Sequence, residues 1–158
     1  MSPEAGSWQH DLVEFLDTLE RHRVPFLIVG GYAVAHAGYL RATKDVDVFV
    51  PRRPGLDALL AQALSEFLGS EVTVEDATRT FLRLFVDRPG AIDVIRELPG
   101  VTWSTAWKGR SPGLFFGRRT PYLGLDALIR NKRAVGRLSD LADVEALVRI
   151  RRERNRRR

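Results

Sequence analysis

Ile28-Val29-Gly30-Gly31-Tyr32-Ala33-Val34 and, eleven residues on, Asp45-Val46-Asp47-Val48-Phe49-Val50 are the two runs around which the chain is organised. The first predicts a buried strand that ends in a Gly-Gly turn and opens a short helix. The second predicts a strand in which period-2 alternation puts Asp45 and Asp47 on one face and Val46, Val48 and Val50 on the other. Adjacent carboxylates repel, and a cation between them removes that cost. A glycine turn opening a helix offers free backbone N–H groups and a positive dipole end to a phosphate. The pair points to a metal–nucleotide site.

Working outward, residues 7–20 carry apolar residues on one helical face, Leu12, Phe15, Leu16 and Leu19 among them, and Pro25 closes the segment. Residues 26–29 predict a strand and residues 31–37 a short helix. Leu56, Leu60, Leu64 and Phe67 recur at helical spacing before Gly69. Residues 71–74 predict a short strand. Residues 80–86 and 91–95 predict two strands joined by a turn at Asp87-Arg88-Pro89-Gly90, an antiparallel pair with Asp93 mid-strand. Residues 99–112 predict a loop, residues 114–117 a strand, and residues 118–121 a connection. Residues 125–135 predict a helix stopped by Gly136. Ser139 is the expected N-cap of a last helix with Leu141, Val144, Leu147 and Val148 inward. The mixture predicts an α+β (or α/β) domain with a mixed β-sheet flanked by helices.

Asp93 is a lone charge among Ile92, Val94 and Ile95, a costly placement unless it is used. With Asp45 and Asp47 it completes the carboxylate set that two-metal phosphoryl transfer needs. Lys132 follows Leu128 and Leu125 at helical spacing, on the inward face. There it either snorkels or points into a site.

These residues resemble the nucleotidyltransferase superfamily built on the DNA-polymerase-beta core. The pattern is a Gly-Gly turn, a spacer, Asp-hydrophobic-Asp and a later strand Asp. Arg41-Ala42-Thr43-Lys44-Asp45-Val46-Asp47 is similar to a run in small bacterial members, among them toxins of toxin–antitoxin and phage-defence pairs and antibiotic-modifying relatives. Leu128-Ile129-Arg130-Asn131-Lys132 and Arg137-Leu138-Ser139-Asp140-Leu141-Ala142-Asp143 are similar to that subset's lysine helix and acidic segment. Ser139 departs from the subset, which has Lys before this Asp. The resemblance covers roughly residues 26–148 and implies the nucleotidyltransferase fold with C-terminal helices. It implies that Gly30 and Gly31 contact the triphosphate and that Asp45, Asp47 and Asp93 are catalytic and hold two Mg²⁺ ions, Mn²⁺ being an alternative. It implies that Arg41, Lys44 and Lys132 serve nucleotide binding, while Arg137 and Asp140 are read as a cap or ion pair. The expected reaction moves an NMP from an NTP to a hydroxyl of RNA, tRNA or a protein, in a cytoplasmic enzyme with a cognate antitoxin as partner. The alternatives are an aminoglycoside-type antibiotic nucleotidyltransferase and a non-catalytic nucleotide- or RNA-binding protein.

Composition narrows the rest. The chain has 158 residues and no cysteine, which excludes disulfides and thiolate metal sites. One domain is expected over 1–149, with a core at about 26–96 and a helical part at about 124–149. Residues 1–10 lack a basic start and an apolar run, so no signal peptide is expected. No apolar run approaches the ~20 residues of a membrane span. His10, His22 and His36 share no ligand spacing, so zinc is not expected. Trp103 and Trp107 are read as a packing pair. The net charge of +5 resides in residues 150–158, which hold six arginines and one glutamate; residues 1–149 are balanced. This basic tail is either a solvated helix end or an electrostatic contact with phosphates.

Overall fold

The computed structural model describes residues 7–85 and 90–158. Helix α1 (Ser7–Arg21) buries Leu12, Phe15, Leu16 and Leu19, the face its periodicity predicts. Strand β1 (Leu27–Val29) is buried throughout and runs into helix α2 (Gly30–Ala37). Gly30 makes that corner at φ 64°, in the left-handed region open to glycine. Strand β2 (Val46–Phe49) returns antiparallel to β1. Its expected polar face is only partly polar: Phe49, two residues after Asp47 and on the same face, is as buried as Val46. Helix α3 (Leu56–Leu68) occupies the predicted span.

Residues 71–74 are not a strand. Thr73 instead caps a one-turn helix, α4 (Val74–Ala77): its hydroxyl accepts from Asp76 N at 3.1 Å, and the Asp76 carboxylate accepts from Thr73 N at 3.4 Å. This reciprocal cap overrides the β-preference of Val72 and Val74. Strands β3 (Phe81–Phe85) and β4 (Ala91–Ile95) pair antiparallel, as expected. The turn placed at residues 87–90 falls mostly on residues 86–89, outside the described residues.

The stretch 99–112 is not a loop. Thr102 caps helix α5 (Trp103–Lys108), on which Trp103 and Trp107 stack at 5.3 Å while Trp103 meets Phe49 edge-on at 5.2 Å. The two tryptophans are a packing pair. Strands β5 (Ser111–Phe115) and β6 (Arg118–Tyr122) then form a hairpin, where a strand at 114–117 and a connection at 118–121 are expected. Both residues of its turn, Phe116 and Gly117, have positive φ, the geometry of a tight primed turn. Pro112 and Pro121 argue against strands, yet they face each other on a hairpin that ends the sheet.

Helix α6 (Leu125–Val135) is followed by helix α7 (Leu138–Arg156). The N-cap of α7 is Arg137, with Ser139 already inside the first turn. Leu147 is fully buried, but Leu141 is 48% exposed, and the inward stripe runs instead through Asp140, Asp143, Val144 and Leu147. Residues 150–156 continue the helix, and its end docks: Arg154 Nη2 donates to Ala37 O at 2.7 Å and Arg151 pairs with Asp126 at 3.3 Å.

The six strands form one mixed sheet in the order β3-β4-β2-β1-β6-β5. β1 is parallel to β6 and β2 to β4; the other neighbours are antiparallel. The C-terminal end of β1 and the N-terminal ends of β2 and β4 therefore lie at one edge. Fully buried Arg96 ties the opposite ends together by donating to Val50 O, Pro51 O and Ala77 O. Among the described residues no helix is long and apolar enough to cross a membrane.

Candidate active site

That edge opens into a cleft of about 460 Å³. All eight site residues expected from the sequence, Gly30, Gly31, Arg41, Lys44, Asp45, Asp47, Asp93 and Lys132, line it. Val29 pairs with Asp47 across β1–β2, and Asp47 pairs with Asp93 across β2–β4, so strand register alone sets the two carboxylates side by side. Asp47 packs against the glycine corner so closely that a Cβ on Gly30 would overlap its Oδ2. Thr43 closes on Gly31 in the same way, with Oγ1 at 2.6 Å from where a Cβ would stand. The N-cap of α2, Val29, makes no side-chain cap hydrogen bond, which leaves the N–H groups of the first turn to other acceptors.

Asp45 sits just before β2, and its Oδ1 accepts from Ala91 N at 2.8 Å. Asp93 is 4% exposed and is gripped by Arg83 through both oxygens, at 2.8 and 2.9 Å. The same guanidinium lies 3.6 Å from Asp45 Oδ2. Burial, then the charges of Asp93 and Asp45, push the Asp47 carboxyl up to about 7. The hydrogen bond to Asp93 raises Arg83 further above its ordinary value.

Behind the carboxylates lies a second ionic network. Lys132 is buried, with Nζ 3.2 Å from Asp140 Oδ1 and 3.1 Å from Asp143 Oδ2. Arg41 grips Asp143 at 2.8 and 2.9 Å. Arg137 donates to Asp140 from Nε at 2.8 Å and from its backbone N at 3.2 Å, the cap and ion pair expected of it. Burial acts to raise Asp140, but the hydrogen bonds from Arg137 and Lys132 outweigh it and hold the carboxyl below its ordinary range. Lys132 and Arg41 thus face the cleft while their charges are engaged by α7. Lys44 lines the cleft and is exposed.

Arg83 is the functional side chain that sequence reasoning missed. Counting outward from a turn at residues 87–90 pairs Leu84 with Asp93, whereas the observed register pairs Arg83 with Asp93, one residue off and on the other face of the strand. As the side chains stand, no three His, Asp or Glu groups among the described residues are arranged to hold a metal ion. The donor set nevertheless suits a hard divalent cation. Asp45 and Asp93 converge on one guanidinium with Asp47 beside them in register, so the cluster already takes a cation, and that cation sits on a side chain 43% exposed at the sheet edge.

No protein-family model and no curated protein sequence matches the chain. Solved structures do. The lincomycin-bound lincosamide antibiotic adenylyltransferase LnuA is 17% identical with a TM-score of 0.55, over 89% of this chain and 96% of that one. A protein from Thermotoga maritima described as a nucleotidyltransferase is 14% identical with a TM-score of 0.56, over 94% and 95%. The antibiotic-resistance factor ANT(2″)-Ia is 17% identical with a TM-score of 0.52, over 94% and 93%. At these identities the likeness is one of architecture: the chain has the nucleotidyltransferase fold.

Proposed function

We propose that the protein is a divalent-metal-dependent nucleotidyltransferase that moves an NMP from an NTP to an acceptor hydroxyl. The observation that carries this is the glycine corner at Gly30 set against Asp47, with Asp93 in register beside it and Asp45 two residues away. The uncapped first turn of α2, with the Gly30–Gly31 corner, would cradle the triphosphate. Asp45, Asp47 and Asp93 would hold Mg²⁺ or Mn²⁺, which when bound polarises the phosphoryl oxygens and makes the attacking hydroxyl more acidic. The acceptor oxygen bonds to the α-phosphorus and the bond from that phosphorus to the bridging oxygen breaks. Pyrophosphate leaves, and Asp93, once released by Arg83, would take the hydroxyl proton. Lys44 supplies positive charge at the cleft wall, while Lys132, Arg41 and Arg137 keep that wall rigid through Asp140 and Asp143.

The acceptor we favour is RNA, in keeping with the cations along the cleft and the arginines that end α7. A toxin role, with a cognate antitoxin as partner, goes with that reading. A second reading, an antibiotic acceptor, is favoured by the near-complete overlap with LnuA and ANT(2″)-Ia. The cleft has nearly balanced charge, four carboxylates beside five cations, and lacks the acidic excess that a polycationic antibiotic would call for. Incubation with Mg²⁺, labelled NTPs and, in separate arms, total RNA, total protein, an aminoglycoside and a lincosamide separates these. Label on RNA supports the first reading and label on an antibiotic the second. Absence of transfer to every acceptor, together with absence of NTP binding, would remove both.

A further inference from the structure

Two of the three carboxylates in this site, Asp45 and Asp93, share one cation. Among the described residues, Arg83 is the only positive group within ion-pair distance of Asp45 and Asp93. The neighbouring network is built differently: there Asp140 and Asp143 face Lys132, Arg41 and Arg137. Among the described residues the carboxylates Asp45 and Asp93 therefore have one paired cation, where Asp140 and Asp143 have three. Arg83 stands on β3, the outermost strand, with its side chain 43% exposed. Its guanidinium carbon is 5.7 Å from the centre of the Phe81 ring, so this ring flanks the guanidinium while it grips Asp93. Both oxygens of Asp93 accept from Arg83, so an incoming metal ion competes with the fork for this carboxylate.

We propose that Arg83 is the resident counter-cation of the carboxylate cluster, holding Asp93 and Asp45 together until a divalent ion displaces it, and so setting how tightly that ion binds. Arg83 is a positioning residue in this scheme. It pre-arranges Asp93, and the electrostatic work of removing it is subtracted from metal affinity. Metal delivered with a triphosphate would meet less resistance than metal alone, because the phosphates offer the freed guanidinium a new anionic partner. The inference rests on the cluster being the metal site proposed above, and it does not require turnover.

The test is Mn²⁺ binding to the full chain, read from the electron paramagnetic resonance of the free ion and, separately, from thermal unfolding with and without Mn²⁺. Arg83→Gln should bind Mn²⁺ about ten- to a hundredfold more tightly than the wild type, the span of a charge-assisted hydrogen bond. It should unfold at a lower temperature without metal and recover more when Mn²⁺ is added. Arg83→Lys keeps the charge but not the fork, and should fall between the two; it carries the test if Arg83→Gln does not fold. Asp93→Asn should weaken binding. Equal or weaker Mn²⁺ binding by the folded Arg83 variants overturns the proposal. Tighter binding without NMP transfer to any acceptor would leave Arg83's role standing and remove the enzyme reading. Transfer with unchanged metal affinity would do the reverse.

Discussion

The Asp47 carboxylate occupies the space that a side chain on Gly30 would fill. Two costs therefore meet at Gly30: a left-handed backbone and a collision. Gly55 separates them, because it has φ 81° but nothing within 4 Å of a Cβ. Gly55→Ala should cost about 1–2 kcal/mol, the strain alone. Gly30→Ala should cost a further ~1–3 kcal/mol from overpacking and should shift Asp47 out of line. Urea midpoints of both variants, with NTP binding as a second reading, check this. Equal losses at the two sites would refute the close packing of Asp47 on the corner.

Replacing Asp45, Asp47 or Asp93 by Asn should reduce NMP transfer by about a thousandfold or more, the several kcal/mol a metal-held transition state draws from its ligands. The fold should survive, because each change removes a negative charge from a crowded cluster. Labelled transfer alongside near-UV circular dichroism would show it. A variant retaining a tenth of the activity would remove that carboxylate from the catalytic set.

Lys132→Met should be among the most destabilising single changes, at about 3–5 kcal/mol, because it leaves Asp140 and Asp143 buried with less compensating charge. Arg149→Ala, which breaks an exposed pair with Glu145, should cost no more than ~0.5 kcal/mol. Chemical denaturation of the two variants makes the comparison. The intrinsic preferences of Met and Ala for helix are too similar to blur it.

His36 gives stability a pH dependence. Its ring stacks on Tyr122 at 4.0 Å and lies 3.1 Å from Ser111 Oγ. Burial, then the charge of Arg154, lowers its pKa below the ordinary 6.5. The folded chain thus prefers the neutral ring, and below pH 6.5 the unfolded chain takes up the proton first. The contribution of His36 is full above pH 6.5 and is lost as pH falls through that value toward the lower folded one. His36→Gln should flatten this segment of the stability curve relative to the wild type. Urea midpoints at pH 8 and pH 5.5 would show parallel slopes if His36 were not the cause.

What could be read in advance followed from local rules. Leu56 to Leu68 and Leu125 to Val135 are helices marked by apolar spacing and closed by Gly69 and Gly136. Asp45, Asp47 and Asp93 stand out because a carboxylate among Val and Ile is costly without a use. The misses were of two kinds. At Thr73 and Thr102, one hydroxyl cap tipped a short segment into helix, a small energy that composition does not display. Pro112 and Pro121 end the stretches expected as a loop and a connection, and their facing positions on one hairpin are known only after pairing. Arg83 and the engagement of Lys132 by Asp140 and Asp143 belong to the same class. Each is a partner choice across strands or helices, and a residue's partner is a property of register rather than of its neighbours in sequence.

Arg41 and Asp143 are joined across 102 residues of chain. During synthesis the three carboxylates are all present once residue 93 has been made, yet Lys132 and Arg41 remain without their acidic counterparts until the first turns of α7 leave the ribosome. A growing chain that ends before Asp140 would carry a buried ammonium with nothing to neutralise it. The cleft can therefore assemble only after Asp143 has been made, and a product that stops short of it should be unable to form a competent site even though it contains Asp45, Asp47 and Asp93.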